Sequence, residues 1–262
     1  MARPFVLEGV DVEAVVEVMP FSGGLPRNMK QCIEDFDIPV YYSSTVSEIR
    51  GKERVSSVVV SKVDENRRPI LGTEKEIECD TLMISAGLIP ENELTEQAGI
   101  EISKGTKGAV VTENLQTSVD GFFACGNVLH VHDLVDFVAE EAEEAGSFAA
   151  EYILSDKADE STSSSKSSIN DNCVMVVNGK GAGAIVPQLI RRETSSGKVS
   201  LMFRPDNKYR DVTVKAVMDD EVIATKKVIA VTPGEMIKLE IPTSAMSSTA
   251  DTITVSLEGG AI

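Results

Sequence analysis

The stretch from Ser155 to Asn172 constrains this chain more than any other feature. Seven of its 18 residues are serine and only Ala158 and Ile169 are apolar, so it has no face to bury and reads as a linker. It also separates two charge regimes. Residues 1–154 hold 12 Lys/Arg against 28 Asp/Glu, whereas residues 155–262 hold 13 against 14. This step predicts an N-terminal region over 1–154, a Ser-rich linker over 155–172 and a second domain over 173–262. The net charge of −17 repels phosphate backbones and anionic lipid, so nucleic acid and anionic membranes are poor partners. Every apolar run falls short of the roughly 18 residues of a membrane span, and the N-terminus lacks a signal-peptide core. Cys32, Cys79, Cys125 and Cys173 are widely spaced with no CxxC pair. They read as isolated thiols in a reducing compartment, so the expected location is cytoplasmic.

The N-terminal region reads as mixed α/β. Val10–Val18 is a β-branched run entered through Gly9, Asn28–Phe36 suits a short helix, and Pro39–Tyr42 suits a short strand. Thr45–Ile49, Arg54–Val63 and Glu74–Glu78 predict an antiparallel meander, with turns at Arg50-Gly51-Lys52 and over 64–72. The apolar-to-small run Thr81–Ser85 predicts a buried parallel strand, and Gly121–Ala124 another short strand. Leu134–Leu154 reads as a long helix. Its buried stripe is expected to hold Leu134, Val135, Val138, Ala142, Ala145, Phe148 and Ile153, with Glu140, Glu141, Glu143 and Glu144 on a solvated face. Beyond the linker, short runs at sandwich-like spacing between 174 and 257, with turns at Asn207, Asp219-Asp220 and Pro233-Gly234, predict an all-β domain acting as a docking module or spacer.

Several residues invite a chemical reading. Glu17 ends the Val10–Val18 run, where the carboxylate of a dinucleotide-binding βαβ unit bonds the adenosine ribose about 20 residues beyond its glycine loop. Counting back that far passes Met1, so the loop is expected upstream of this sequence. Gly179-Lys180-Gly181-Ala182-Gly183 lacks the third glycine of the fingerprint and a following Lys-Ser/Thr pair, and is read as a flexible hairpin or bulge. His130-Val131-His132-Asp133 contains both histidines of the chain, which excludes a multi-His metal site. A two-His-one-carboxylate arrangement with Asp133 or Asp136 is the metal alternative, although the reading favours no metal. Cys125 is expected to be a packed thiol.

Three segments occur in a telling order: Pro20-Phe21-Ser22-Gly23-Gly24-Leu25-Pro26-Arg27-Asn28, then residues 79–92 (CDTLMISAGLIPEN), then residues 116–128 (QTSVDGFFACGNV). Together they resemble the FAD/NAD(P)-dependent pyridine nucleotide-disulfide oxidoreductase superfamily, most closely a branch associated with anaerobic glycerol-3-phosphate dehydrogenase. The resemblance implies an incomplete FAD/NAD(P)-binding Rossmann-like domain followed by a small β-sandwich, present as a C-terminal fragment without the FAD and NAD glycine motifs. It implies that Gly126 and Asn127 hold a flavin ribityl hydroxyl, with Asn replacing the family's Asp. The helix start at Asp133, Leu134 and Val135 is then aimed at the flavin. His130 or His132 would bond the ring or supply a proton. Ala86 and Gly87 let NAD approach closely, and Glu17 meets its ribose; no Arg follows Glu17 closely, which favours NAD over NADP. The Arg3-Pro4 pair is expected to break the first helix of the NAD domain. The implied function is hydride transfer between nicotinamide and flavin, with FAD and NAD(P) as cofactors, a dehydrogenase subunit as partner and an oligomeric assembly. The rival reading is a non-catalytic docking protein with a vestigial α/β scaffold.

Overall fold

Pro4 does not prevent helix formation: α1 spans Ala2–Leu7. Pro4 lies in its first turn, where a backbone N–H has no intrahelical partner to lose. The structure is a computed structural model and describes residues 2–24, 26–85, 87–155, 172–247 and 249–261. The chain forms two compact units, Met1–Gly87 and Leu88–Ile262. This division falls at Gly87/Leu88 rather than at the Ser-rich stretch, of which residues 156–171 lie outside the described residues.

In the first unit the expected strand over Val10–Val18 contracts to β1 (Val15–Val16), which pairs in parallel with β2 (Val40–Tyr41). The crossover between them carries α2 (Pro26–Cys32) and a 3-10 turn at Glu34–Phe36. Only Val15 and Val16 form ladder pairs; Glu17 continues the contact by donating its N–H to the Tyr41 carbonyl and accepting from Ser44 N–H. The meander forms as the alternation predicts: β3 (Ser44–Arg50), β4 (Ser57–Lys62) and β5 (Lys75–Glu78) make an antiparallel sheet in that order. The central strand is the buried one, with Ser57 to Ser61 covered. Residues Thr81–Ser85 form no strand, and Ile84 is 74% exposed. A parallel strand needs hydrogen-bonded neighbours and cover on both faces, and none of the described residues pairs with this run.

Among the described residues the second unit contains α3 (Glu93–Gln97), α4 (Val135–Leu154) and eight strands. These are β6 (Cys173–Asn178), β7 (Ala182–Val186), β8 (Leu189–Arg191), β9 (Lys198–Pro205), β10 (Tyr209–Met218), β11 (Glu221–Val231), β12 (Ile237–Pro242) and β13 (Thr252–Ala261). One sheet runs β11-β10-β13-β6-β8 and the other β12-β9-β7. Alternate residues along β9, β10 and β12 point inward, and both sheets contribute to one core that includes Leu201, Phe203, Val214, Leu239 and Ile253. The glycine-rich segment after β6 is a turn into β7. A Cβ on Gly181 would come within 2.9 Å of the Tyr209 hydroxyl, so the segment is packed; β6 and β7 lie in different sheets and make no hairpin, and the register of β7 on β9 shifts between Ala182 and Ile185, which fits a bulge.

Residues 88–154 belong to the same unit because they share its interior. Val186 of β7 packs with Ile100, Val111, Leu115, Leu129 and Ala145, and Val110 packs with Cys173 and Leu189. The backbone N–H of Leu189 donates to the Val111 carbonyl at 3.2 Å, and Val111 N–H donates to Gln188 Oε1 at 3.0 Å. The Arg191 guanidinium and backbone N–H both donate to the buried Glu113 carboxylate. Gly121–Ala124 is not a strand; it contributes an isolated bridge between Gln116 and Phe123. Gly108 is where the backbone comes closest, since a Cβ there would sit 2.0 Å from the Leu129 carbonyl oxygen. Leu129 is fully buried although it lies in a loop. We therefore expect Leu129→Ala to destabilise this unit, strands included, by about 2–5 kcal/mol. Hydrogen exchange should show the amides of β9 and β12 losing protection along with those of residues 100–130.

Candidate functional site

The site is built on the turn that follows Cys125. Cys125 is extended (φ −150°, ψ 166°), and Gly126 then adopts φ +72°, a conformation that favours glycine. Gly126–Val128 form a 3-10 turn in which the Gly126 carbonyl accepts from Leu129 N–H at 2.9 Å and His130 N–H at 3.1 Å. The turn delivers His130 and His132 beneath α4, where both meet Glu141. His130 Nε2 lies 2.7 Å from Glu141 Oε1 and His132 Nε2 lies 3.1 Å from Oε2. The Gly126 N–H donates to Oε2 at 2.5 Å. The side chains of His130, His132 and Glu141 are only 7%, 1% and 2% exposed. The two imidazoles cross edge to face with centroids 4.3 Å apart, and Nδ1 of His132 is buried without a partner.

Burial pushes the Glu141 carboxyl up. The His130 bond and charge, the Gly126 N–H and the His132 bond outweigh that effect and hold it below its ordinary value. Burial, reinforced by the Glu141 charge, pushes the Cys125 thiol up, which suppresses thiolate chemistry at that position.

The structure corrects two expectations about α4. Glu141 is not part of a solvated acidic face; of the helix's residues, only Glu141 and Ala145 are fully buried. Its register carried the signal, because Val138, Glu141 and Ala145 recur at i, i+3 and i+7 on one stripe. Leu134 and Val135 are not buried: they are 51% and 78% exposed at the start of α4, and no side chain caps that end. Ala142 and Ile153 are exposed as well.

The remaining sequence candidates divide. Asn127 is exposed, and its Oδ1 accepts from His132 N–H at 3.0 Å. Asp133 is committed to the β-domain: it forms an ion pair with Arg204 and accepts from Met236 N–H at 2.8 Å. Arg204 also donates to the Val131 carbonyl at 3.0 Å. Neither Asp133 nor Asp136 joins the histidines; Glu141 is the carboxylate brought to them. In the first unit, Glu17 follows β1 and closes a local turn, with Oε1 accepting from Met19 N–H at 2.9 Å. Gly87 is exposed with open space around it, and Ala86 lies outside the described residues.

A family model described as pyridine nucleotide-disulphide oxidoreductase matches residues 8–149, more than half of the 262. The thioredoxin reductase of Treponema pallidum is 33% identical over 92 residues, covering 35% of this chain and 27% of that protein. Ferredoxin–NADP reductase 2 of Bacillus velezensis is 27% identical over 99 residues, covering 38% of this chain and 28% of that protein. Among solved structures, the thioredoxin reductase of Streptococcus pyogenes MGAS5005 aligns at 19% identity with a TM-score of 0.34, over 58% of this chain and 48% of that one. The chain thus spans about a quarter of the length of these curated relatives.

Glu141→Gln tests the buried carboxylate. We expect it to cost about 1–3 kcal/mol at neutral pH by leaving buried donors poorly paired. Folding lowers this carboxyl's pKa, so its contribution is present above the ordinary value of 4.5 and is lost as the pH falls through the lower folded value. Urea unfolding of both proteins at neutral and at strongly acidic pH should show the gap between them closing in acid.

Proposed function

The chain belongs to the pyridine nucleotide-disulphide oxidoreductase family, and on that premise we propose that it forms part of a FAD-dependent oxidoreductase that exchanges a hydride between NAD(P)H and flavin. The observation that carries this reading is the start of α4, an uncapped helix N-terminus with exposed Leu134 and Val135 that follows the Gly126 turn. Free N–H groups and the positive end of the helix dipole suit the electron-rich pyrimidine edge of a flavin. The exposed apolar side chains suit a ring system that needs cover from water.

The residues present fit a flavin in part. FAD, when bound, supplies the redox chemistry by accepting and returning the hydride. Leu134 and Val135 would cover the ring system, and the first-turn amides would favour its negative charge. Asn127 offers its Nδ2 donor to a ribityl hydroxyl, since its Oδ1 already serves His132. Gly126 supports from behind, because its N–H belongs to Glu141. Asp133 positions rather than binds: its bonds to Arg204 and Met236 fix where α4 begins. His130 and His132 brace the turn from the side of Glu141. In the first unit, Glu17 and Gly87 are the residues offered to NAD. Within the family we favour the branch associated with anaerobic glycerol-3-phosphate dehydrogenase, and hence a dehydrogenase subunit as partner.

Fluorescence titration of the full chain with FAD tests the proposal. We expect saturable quenching, weakened at least about tenfold by Leu134→Asp or Val135→Glu with the urea midpoint unchanged. If the folded wild-type chain shows no saturable binding, α4 is no flavin site and the docking-protein reading takes its place.

A further inference from the structure

We propose that His130, His132 and Glu141 form a binding site for one divalent transition-metal ion of the zinc class, beneath the Gly126 turn. Both histidines of the chain converge on a single carboxylate, and one donor atom from each of the three residues lies within 4.8 Å of the others. Four-coordinate zinc with bonds of about 2.0–2.1 Å holds its donors roughly 3.3 Å apart. His130 Nε2 stands 2.7 Å from Glu141 Oε1 and His132 Nε2 3.1 Å from Oε2, and one donor from each residue lies within 4.8 Å of the others, so shifts of about an ångström bring them to that spacing.

The chemistry of the donors selects the ion. Two imidazoles and a carboxylate suit zinc, cobalt or ferrous iron; calcium and magnesium prefer all-oxygen sets, and cuprous ion prefers sulfur. Three protein donors leave a fourth position for water. The surroundings are also those of a metal ligand set. Glu141 Oε2 accepts the Gly126 N–H, an outer bond of the kind that orients a ligating carboxylate; Oε1 is left for the ion once His132 Nε2 exchanges its contact with Oε2 for the metal.

Hydrogen bonding alone does not account for burying His132. Whichever tautomer it adopts, Nδ1 lacks a partner. A metal bond at Nε2, stronger than the hydrogen bond it replaces, offsets that loss. On binding, each Nε2 gives up the proton it directs at Glu141 and ligates through its lone pair; a neutral ring carries its one proton on Nδ1, and a protonated ring releases its second proton to solvent. The bound ion ties the 126–132 loop to α4. This site does not rest on the flavin reading, since metal content and flavin fluorescence are separate signals.

The test uses the full chain, stripped with a chelator and titrated with Zn2+ by calorimetry and with Co2+ by visible absorption. One equivalent should bind, with the intense visible bands of four-coordinate Co2+ and a rise in the thermal midpoint. His130→Ala and His132→Ala should each weaken binding at least tenfold, whereas Asp136→Asn, outside the cluster, should leave it intact. His132→Gln serves as a second variant should the alanine forms fail to fold. The proposal is overturned if the folded wild type binds no stoichiometric ion. Three other results sink it too: binding that survives in the histidine variants, competition by excess Mg2+ as at a surface carboxylate, or the near-ultraviolet charge-transfer band of a thiolate ligand.

Discussion

A buried carboxylate organises the described part of the second unit's α/β segment. An ionised side chain removed from water is costly unless it is fully paired. Glu141 meets that condition by gathering the Gly126 N–H and both imidazoles of the chain. The three contacts fix the Gly126 turn against the middle of α4, and they set the helix rotation that buries Ala145 and turns Leu134 and Val135 outward. The exposed helix start and the inward histidines are therefore two results of one packing decision.

The second constraint is the interior that residues 88–154 share with the β-domain. Val186 inserts among residues of the loop segment, Glu113 receives Arg191, and Asp133 is held by Arg204 and by the Met236 N–H. The sandwich is thus part of the support for the turn rather than a body separate from it. This explains why the step in charge does not mark the boundary between compact units. Charge is mostly a property of surface residues, whereas unit boundaries follow buried apolar contacts between segments distant in sequence.

Family membership and local geometry bear on different parts of the functional reading. Membership concerns residues 8–149 as a class of oxidoreductase sequence. Geometry assigns the tasks within it: Asn127, Leu134 and Val135 face outward, while Gly126, Asp133 and the histidines are committed to internal partners. A motif match by itself groups all of these residues together. Hydrogen bonding separates those that remain available to a ligand from those that hold the others in place.

The local pattern of the chain was enough to read the β3–β5 meander, the extent of α4 and most strands of the sandwich, because alternation and helical periodicity are local properties. It also marked the Gly126 turn, the His-x-His pair and a resemblance that the family match bears out at the level of the pyridine nucleotide-disulphide oxidoreductase family. The same reasoning misplaced Thr81–Ser85, whose composition suits a buried strand but which has no neighbour to pair with among the described residues. It also left Glu141 on the solvated face: a run of glutamates looks alike in sequence, and only the loop packed beneath the helix singles out one of them. Composition, periodicity and motif order thus determined which elements and which family. The tertiary structure alone decided which carboxylate is buried, which partner Asp133 takes and where the compact units divide, since each of these depends on contacts between residues far apart in the chain.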